Sequence, residues 1–304
     1  MTTYRYPFPR RGTMRLSFGL ALLVLTVFGL VPAIAVVVVS FTDLRGLPYL
    51  PVHWVGLDNY RSFFSSTKAA DNINALKNTA IFALVSTVAQ ILIALGIAVF
   101  LNRPMRGRNF LRAIVFMPTV LGVTVTGLVF SLIFNVSGGP AASVLSWFGA
   151  NSAFFGDPRV ALWLVIAVQV WMQIGISVII FLAGLQAIPA DLYEVASIDG
   201  ASSWQQFRNV TVPLLAPSVT ANVLLGIVNA LQSYQLTYVL TGATNKATQV
   251  LSLLVFVQGF GGNSGTTVSQ SQGYAAAISM VQFVIVAVVT SLTLVFLRRR
   301  ENIL

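Results

Sequence analysis

The chain has no cysteine and a single histidine, His53. The first absence excludes a disulfide framework and thiol chemistry. The two together leave no zinc site of the usual ligand types. His53 sits beside Trp54 and reads as an interfacial residue rather than a catalytic one. Charge is scarce too: 9% of the 304 residues are charged, whereas soluble domains carry about a quarter. The three lysines, Lys68, Lys77 and Lys246, have no Gly-x-x-x-x-Gly-Lys-Ser/Thr context. A phosphate loop is therefore missing, and any ATP hydrolysis must occur on another chain.

What remains is apolar: 56% of the residues are hydrophobic. No Asp, Glu, Lys or Arg occurs between Arg15 and Asp43, Lys77 and Arg103, Arg112 and Asp157, Arg159 and Asp191, Arg208 and Lys246, or Lys246 and Arg298. Each window exceeds the roughly 20 residues a helix needs to cross a bilayer. Open strands cannot span lipid, and the alternating pattern of outer-membrane barrels is missing. The sequence predicts an all-α integral membrane protein with six transmembrane helices, near 16–41, 79–101, 112–134, 160–186, 217–240 and 273–297.

The net charge is +10, and its placement is informative. Arg5, Arg10, Arg11 and Arg15 precede the first helix; Arg103, Arg106, Arg108 and Arg112 fall between the second and third; Arg208 falls between the fourth and fifth; Arg298, Arg299 and Arg300 follow the sixth. In a six-helix arrangement these all lie on one side, which the positive-inside rule makes cytoplasmic, with both termini. No basic groove with interleaved aromatics suggests nucleic acid. Residues 1–15 form a basic tail, and 16–300 a single membrane domain. The segments 135–158 and 241–272 read as outside loops, the second rich in Gly, Ser and Thr.

The polar stretch 188–217 interrupts the apolar pattern. Pro189 suits a helix start, with Asp191 and Glu194 near the positive end of the helix dipole. Asp199-Gly200 signals a turn, and Ser203 with Gln206 reads as a capping box opening a second short helix. A helix, a glycine-pinned bend and another helix are expected, with small Ala196 and Ala201 permitting close packing. On physics alone this is either an ordinary connector or a docking element.

Glu194-Val195-Ala196-x-x-Asp199-Gly200-Ala201, then Phe207, Pro213-Leu214-Leu215 and Pro217, resembles the EAA loop of ATP-driven importer permeases that work with a solute-binding protein. Val195 stands where that family usually has a second alanine. Val55-Gly56-Leu57-Asp58-Asn59-Tyr60, Asn78-Thr79, Arg112 with Pro118, and Tyr238-Val239-Leu240-Thr241-Gly242 resemble segments of its carbohydrate branch, the maltose and glycerol-phosphate type. The usual Gly-Pro after the last segment is replaced by Ala243-Thr244. The resemblance implies a type I ABC importer permease core of helices two to six, with a peripheral first helix, in a bacterial or archaeal cell membrane. It implies that Glu194, Ala196, Asp199, Gly200 and Ala201 couple the chain to a cytoplasmic ATPase, Asp199 capping the amides that follow. It further implies a second permease subunit, two ATPase subunits that bind the ATP and magnesium, and an extracytoplasmic binding protein.

No charged residue lies within an expected helix core, which argues against a proton relay or ion-coupled transporter. Uncharged polar residues are more frequent. Gln169, Gln173 and Ser177 share one face of the fourth helix, near Trp171. Asn222, Asn229 and Gln232 form a stripe on the fifth, followed by Tyr234 and Gln235; Ser86, Gln90 and Gln282 lie elsewhere. Such amides bond helices together, or else hydrogen-bond a sugar while Trp171 or Tyr234 packs on a pyranose face. The candidate path residues are Gln169, Gln173, Asn229, Gln232, Tyr234 and Gln235. A sugar importer permease is the leading expectation. A glycerophosphate-type or other small polar cargo, a passive channel or secondary transporter, and an intramembrane enzyme are the alternatives, the last lacking a convincing nucleophile or metal cluster.

Overall fold

Four apolar helices in the computed structural model are long enough to cross a bilayer unbroken: Arg15–Val39, Ala69–Asn102, Ala161–Ala187 and Gln272–Arg299. Two more candidates are bent pairs, Arg108–Val120 with Val123–Ile133 at 99° and Ser203–Leu214 with Ala216–Gln232 at 64°. The structure describes residues 11–46, 49–65, 68–261 and 271–301. Arg5, Arg10 and the stretch 262–270 of the Gly- and Ser-rich segment lie outside the described residues. The elements are α1 (Arg11–Leu25), α2 (Val31–Val39), α3 (Asp58–Ser65), α4 (Ala69–Asn102), α5 (Arg108–Val120), α6 (Val123–Ile133), α7 (Pro140–Trp147) and α8 (Ala161–Ala187). There follow α9 (Ala190–Ile198), α10 (Ser203–Gln206), α11 (Val212–Leu214), α12 (Ala216–Gln232), α13 (Gln235–Thr241), α14 (Leu251–Phe260) and α15 (Gln272–Glu301).

Residues 16–38, most of α1 and α2 with the turn between them, carry no charge and are exposed throughout, as a lipid-facing helix must be. A π-helical turn, Thr26–Leu30, joins them; the Val31 N–H reaches back to the Thr26 carbonyl. Pro32, one residue on, has no N–H to restore the α register. The pair packs on α15 through α2, so it is peripheral, as expected.

The centre is α4, 34 residues and so about 51 Å long. It begins ten residues before the expected start at 79. Its buried face is mostly small: Ala75, Thr79, Ala83, Ser86, Ala94 and Ala98. Lipid tails are as apolar as leucine, so close packing rather than water exclusion drives such contacts, and small residues permit it. Helices α8 and α12 lie on this face. A Cβ on Gly175 would stand 3.1 Å from the Phe116 Cα and the Val115 oxygen, which lets α5 cross α8 closely.

The expected third helix, 112–134, is broken. Pro118 removes a donor inside α5, and Leu121 and Gly122 are extended, with ψ of 134° and 147°. The two halves serve different neighbours, α5 packing on α8 and α6 on α13. The stretch 241–272 differs from its expectation as a loop: it contains α14, an apolar helix with Leu251, Leu253, Leu254 and Val257 buried.

The chain orders these helices so that one end, here the basic end, gathers Arg103, Arg106, Arg108, Arg112, Arg208 and Arg298. At the opposite end, Asn59 Nδ2 donates to the Ser40 and Thr42 carbonyls at 2.9 Å each, seating α3 beneath the Thr42–Trp54 bridge. The His53 N–H and ring reach Asp43 at 2.6 and 3.0 Å and hold its carboxyl below the usual aspartate range. Asn78 Nδ2 lies 3.1–3.2 Å from the carbonyls of Lys246, Ala247 and Gln249, while Lys246 Nζ meets Asp71 at 2.8 Å. Thr79 Oγ1 accepts from the Leu251 N–H at 2.8 Å, fixing where α14 begins.

Candidate functional site

Two sites follow from this frame, a hairpin at the basic end and a helix break within the bundle. The hairpin starts where α8 ends: Ile188 and Pro189 are extended, and α9 begins with Asp191 in its first turn. Its end is a Schellman turn. The Ala201 N–H donates to the Ala196 carbonyl at 2.9 Å, and the Gly200 N–H to the Ser197 carbonyl at 3.1 Å. Gly200 takes φ +78°, and a Cβ there would meet no atom within 4 Å. The need for glycine is therefore conformational rather than spatial.

The capping box is one residue earlier than expected. Ser202 Oγ accepts from the Gln205 N–H at 3.4 Å, and the Ser202 N–H donates to Gln205 Oε1 at 2.7 Å. The frame expected at Ser203 and Gln206 is not used, because Gln206 has another task. Its Nε2 donates to Ser197 Oγ at 2.9 Å and to the Ala201 carbonyl at 3.2 Å, tying α10 to α9. Asp199 is the C-cap of α9; the next two amides, of Gly200 and Ala201, donate to the Ser197 and Ala196 carbonyls and that of Ser202 to Gln205, so the capping role expected of Asp199 falls to the Ser202–Gln205 pair.

The chain on either side of the hairpin, Ile188 before it and Leu215 after it, packs in a largely buried cluster with Ala98 and Leu101 of α4 and Phe181 and Leu185 of α8. Tyr193 OH meets the buried Thr211 Oγ1 at 3.0 Å, and Trp204 stacks on Phe207 at 5.6 Å. A cleft of about 890 Å³ separates Trp204 and Phe207 from Leu95, Gly96 and Val99 of α4. The outer face carries Glu194 and Asp199, both exposed, with Val195 56% and Ile198 84% exposed. Ala196 and Ala201 are half-buried on the inner side. The five residues expected to couple thus form one unit: two exposed carboxylates, two half-buried alanines, and the glycine between.

The second site is the gap between α12 and α13. Ser233 is extended (ψ 117°) and Tyr234 is non-helical (φ −130°), so the fifth helix, expected as continuous over 217–240, is interrupted. Backbone released inside a membrane must find partners in the protein. Three neighbours reach this gap. Ser252 Oγ of α14 donates to the Ser233 carbonyl at 3.0 Å, and Gln282 Nε2 of α15 to the Leu231 carbonyl at 2.9 Å. Ser233 Oγ lies 3.5 Å from Gln169 Oε1 of α8.

Beside the break lies a cleft of about 390 Å³ bordered by Gln232, Tyr234, Ser252, Phe256, Ser279 and Gln282. Phe256 stacks on Tyr234 at 5.0 Å and meets Tyr238 edge-on at 5.3 Å. The described lining holds no Asp, Glu, Lys or Arg. Of the expected path residues, Gln232 and Tyr234 line the cleft, while Gln169 is buried and does not border it, reaching only Ser233 of the break. Gln173 lies one turn along α8, where its backbone carbonyl and Ser177 Oγ lie 3.4 and 2.7 Å from Gln90 Nε2. Asn229 and Gln235 are exposed and do not line it. Asn222 is buried and donates to the Ser218 carbonyl at 3.0 Å. Trp171 is held edge-on against Phe130 at 5.1 Å, so its ring serves α6. Ser252, Phe256 and Ser279 were not among the expected residues. The available signal was the apolar run from Leu251 to Phe260, too short for a span but long enough for a buried or re-entrant segment.

Comparison with known proteins gives a consistent picture. Residues 90–301 match the family model for the binding-protein-dependent transport system inner membrane component. The chain is 34% identical over 286 residues to the trehalose/maltose transport system permease protein MalF of Thermococcus litoralis, covering 91% of this chain and 90% of that protein. It is 30% identical to the probable starch degradation products transport system permease protein AmyD of Thermoanaerobacterium thermosulfurigenes, covering 92% of each. It is 32% identical to the sn-glycerol-3-phosphate transport system permease protein UgpA of Agrobacterium fabrum, covering 83% of this chain and 84% of that one. Among solved structures, a chain of a bacterial ABC transporter that imports the acidic polysaccharide alginate matches with TM-score 0.80 at 21% identity, over 94% of this chain and 95% of that chain. This last likeness is one of fold.

Proposed function

Because the chain belongs to the family of binding-protein-dependent transport system inner membrane components, we propose that it is a permease subunit of an ATP-driven sugar importer. One membrane domain, residues 16–300, forms half of the translocation path, and a second permease forms the other half. The basic end faces the cytoplasm with both termini, as its arginines favour. There the α9–α10 hairpin docks on an ATPase subunit, one of two that bind ATP and magnesium. An extracytoplasmic binding protein delivers the cargo to the opposite end. Similarity to permeases named for trehalose, maltose and starch products supports this reading.

The observation that carries the cargo class is the uncharged cleft at the α12–α13 break. Amides and hydroxyls there match sugar hydroxyls, and the Tyr234 and Phe256 rings offer flat apolar faces. Broken helices at mid-membrane are a recurrent way to present backbone and side-chain groups to a solute. Transport proceeds by alternating access: ATP binding closes the ATPase pair, the closing subunit carries Glu194 to Ala201 with it, and the helices packed on that hairpin rock. Hydrolysis restores the inward-facing arrangement. Similarity to UgpA supports a glycerophosphate as the second reading, in which the partner permease supplies the cationic group.

The test is uptake by proteoliposomes holding the whole complex. Radiolabelled trehalose or maltose should enter only with ATP and the loaded binding protein, and glycerol 3-phosphate should not compete. Entry without ATP would indicate a channel or secondary carrier, and competition by glycerol 3-phosphate would favour the second reading.

A further inference from the structure

Arg112 near the start of α5 is half-buried, and its Nε and Nη2 are out of contact with solvent and without a hydrogen-bond partner. Buried donors are nearly always paired, so a guanidinium with two unpaired nitrogens, three N–H groups in all, marks a missing acceptor. No residue of the described chain supplies one. Asp43, Asp58, Asp71 and Asp157 belong to the opposite end, Asp191, Glu194 and Asp199 stand on the hairpin, and the eighth acid, Glu301, ends α15 and does not border the groove. Arg112 lines a groove of about 540 Å³ between α5 and α8, and no carboxylate borders it. The walls are apolar, formed by Val115, Phe116, Val178, Ile179 and Leu182. Asn109, at the start of α5, and Gln186, at the end of α8, add amide groups where the groove reaches the basic end.

We infer that this groove binds one anionic phospholipid, its phosphate bonded by Arg112 once the guanidinium turns from its buried position toward the groove, and an acyl chain lying between α5 and α8. A guanidinium offers a planar fork that fits two phosphate oxygens. Basic pockets between helices at the cytoplasmic surface suit such headgroups, and the arginines at 103, 106, 108 and 112 raise the local concentration of anionic lipid. The apolar walls favour an acyl chain over a protein carboxylate or a free anion, each of which would leave them unfilled.

Native mass spectrometry on the full chain, purified with its companion subunits, delipidated and titrated with dioleoylphosphatidylglycerol or dioleoylphosphatidylcholine, tests this. The wild type should hold one phosphatidylglycerol about tenfold or more tighter than phosphatidylcholine. Arg112→Gln should abolish that preference, and Arg112→Lys should keep part of it. Ala183→Phe keeps the charge and fills the groove from its exposed rim; it should lose the lipid as well, which guards against a folding defect in Arg112→Gln. Equal retention of the two lipids by the wild type, an undiminished preference in Arg112→Gln, or displacement of the lipid by millimolar inorganic phosphate would each overturn the assignment. So would loss of the companion permease from Arg112→Gln with lipid retention unchanged, since the acceptor would then be a protein carboxylate. The readout is independent of transport, so the importer reading stands or falls separately.

Discussion

Substitution of Gly200 isolates the geometry of the hairpin from its contacts. A Cβ at this position would meet open space, so alanine introduces no clash; it introduces the left-handed backbone penalty alone, roughly 1–2 kcal/mol. If the turn relaxes instead, the two Schellman hydrogen bonds, from Ala201 to Ala196 and from Gly200 to Ser197, are lost, at about 0.5–1.5 kcal/mol each. Either route costs at least about 1 kcal/mol and lowers the fraction of correctly turned hairpin roughly fivefold or more relative to its alternatives. Asparagine tolerates this backbone region, and valine, being β-branched, tolerates it least. Sugar uptake per ATP hydrolysed, measured in the reconstituted complex, should therefore fall in the order Gly, Asn, Ala, Val. The binding protein's own affinity for sugar should not change. A Gly200→Val complex as well coupled as the wild type would refute the reasoning, and so would an asparagine variant worse coupled than alanine.

Other substitutions separate docking, path and packing. Glu194→Lys lies on the exposed face, so it should leave the melting temperature of the purified chain within about 1–2 °C while lowering ATPase co-purification. Gln206→Leu should disconnect α10 from α9, costing about 1–2 kcal/mol locally and reducing coupling without altering sugar affinity. Gln232→Leu and Tyr234→Ala should raise the KM for uptake, Gln235→Leu should not, and Asn222→Leu should alter stability rather than KM. Asp43 has a lowered pKa, so its contribution is complete above the usual aspartate range and is lost as pH falls through the lowered value. Trp54, stacked on Phe41 at 5.4 Å, should report that loss in fluorescence, and Asp43→Asn should remove the pH dependence.

Much of the fold was legible because charge is excluded from lipid. The charge-free windows locate every long helix, and the arginine clusters sort the ends. Breaks within those windows were less legible, since a helix interrupted at Ser233 keeps an unbroken charge-free sequence. Pro118 and Gly122 marked the α5–α6 bend, but proline is tolerated in membrane helices, so the signal does not decide. The hairpin was readable almost to the residue. Its capping box slipped by one because Ser202-Ser203-Trp204-Gln205-Gln206 offers the motif in two frames, and only the reach of Gln206 back to Ser197 selects between them. Asn222 and Asn229 share a helical stripe, yet one is buried and the other exposed, because what a stripe faces depends on neighbours remote in sequence. The cleft needed α14, whose ten residues are too few to register as a span.

Energy is proposed to enter this subunit at the α9–α10 hairpin, and the absence of native cysteine allows a direct measurement. Ile198→Cys places a thiol at a position that is 84% exposed on the outer face. In the assembled importer, a short bifunctional cross-linker should join that thiol to an ATPase subunit, with a yield that changes between nucleotide-free and ATP-trapped states. Phe283→Cys, at the membrane-embedded middle of α15, should give no such product. A cross-link from position 283 but none from 198, or equal yields from both, would contradict the docking role of the hairpin.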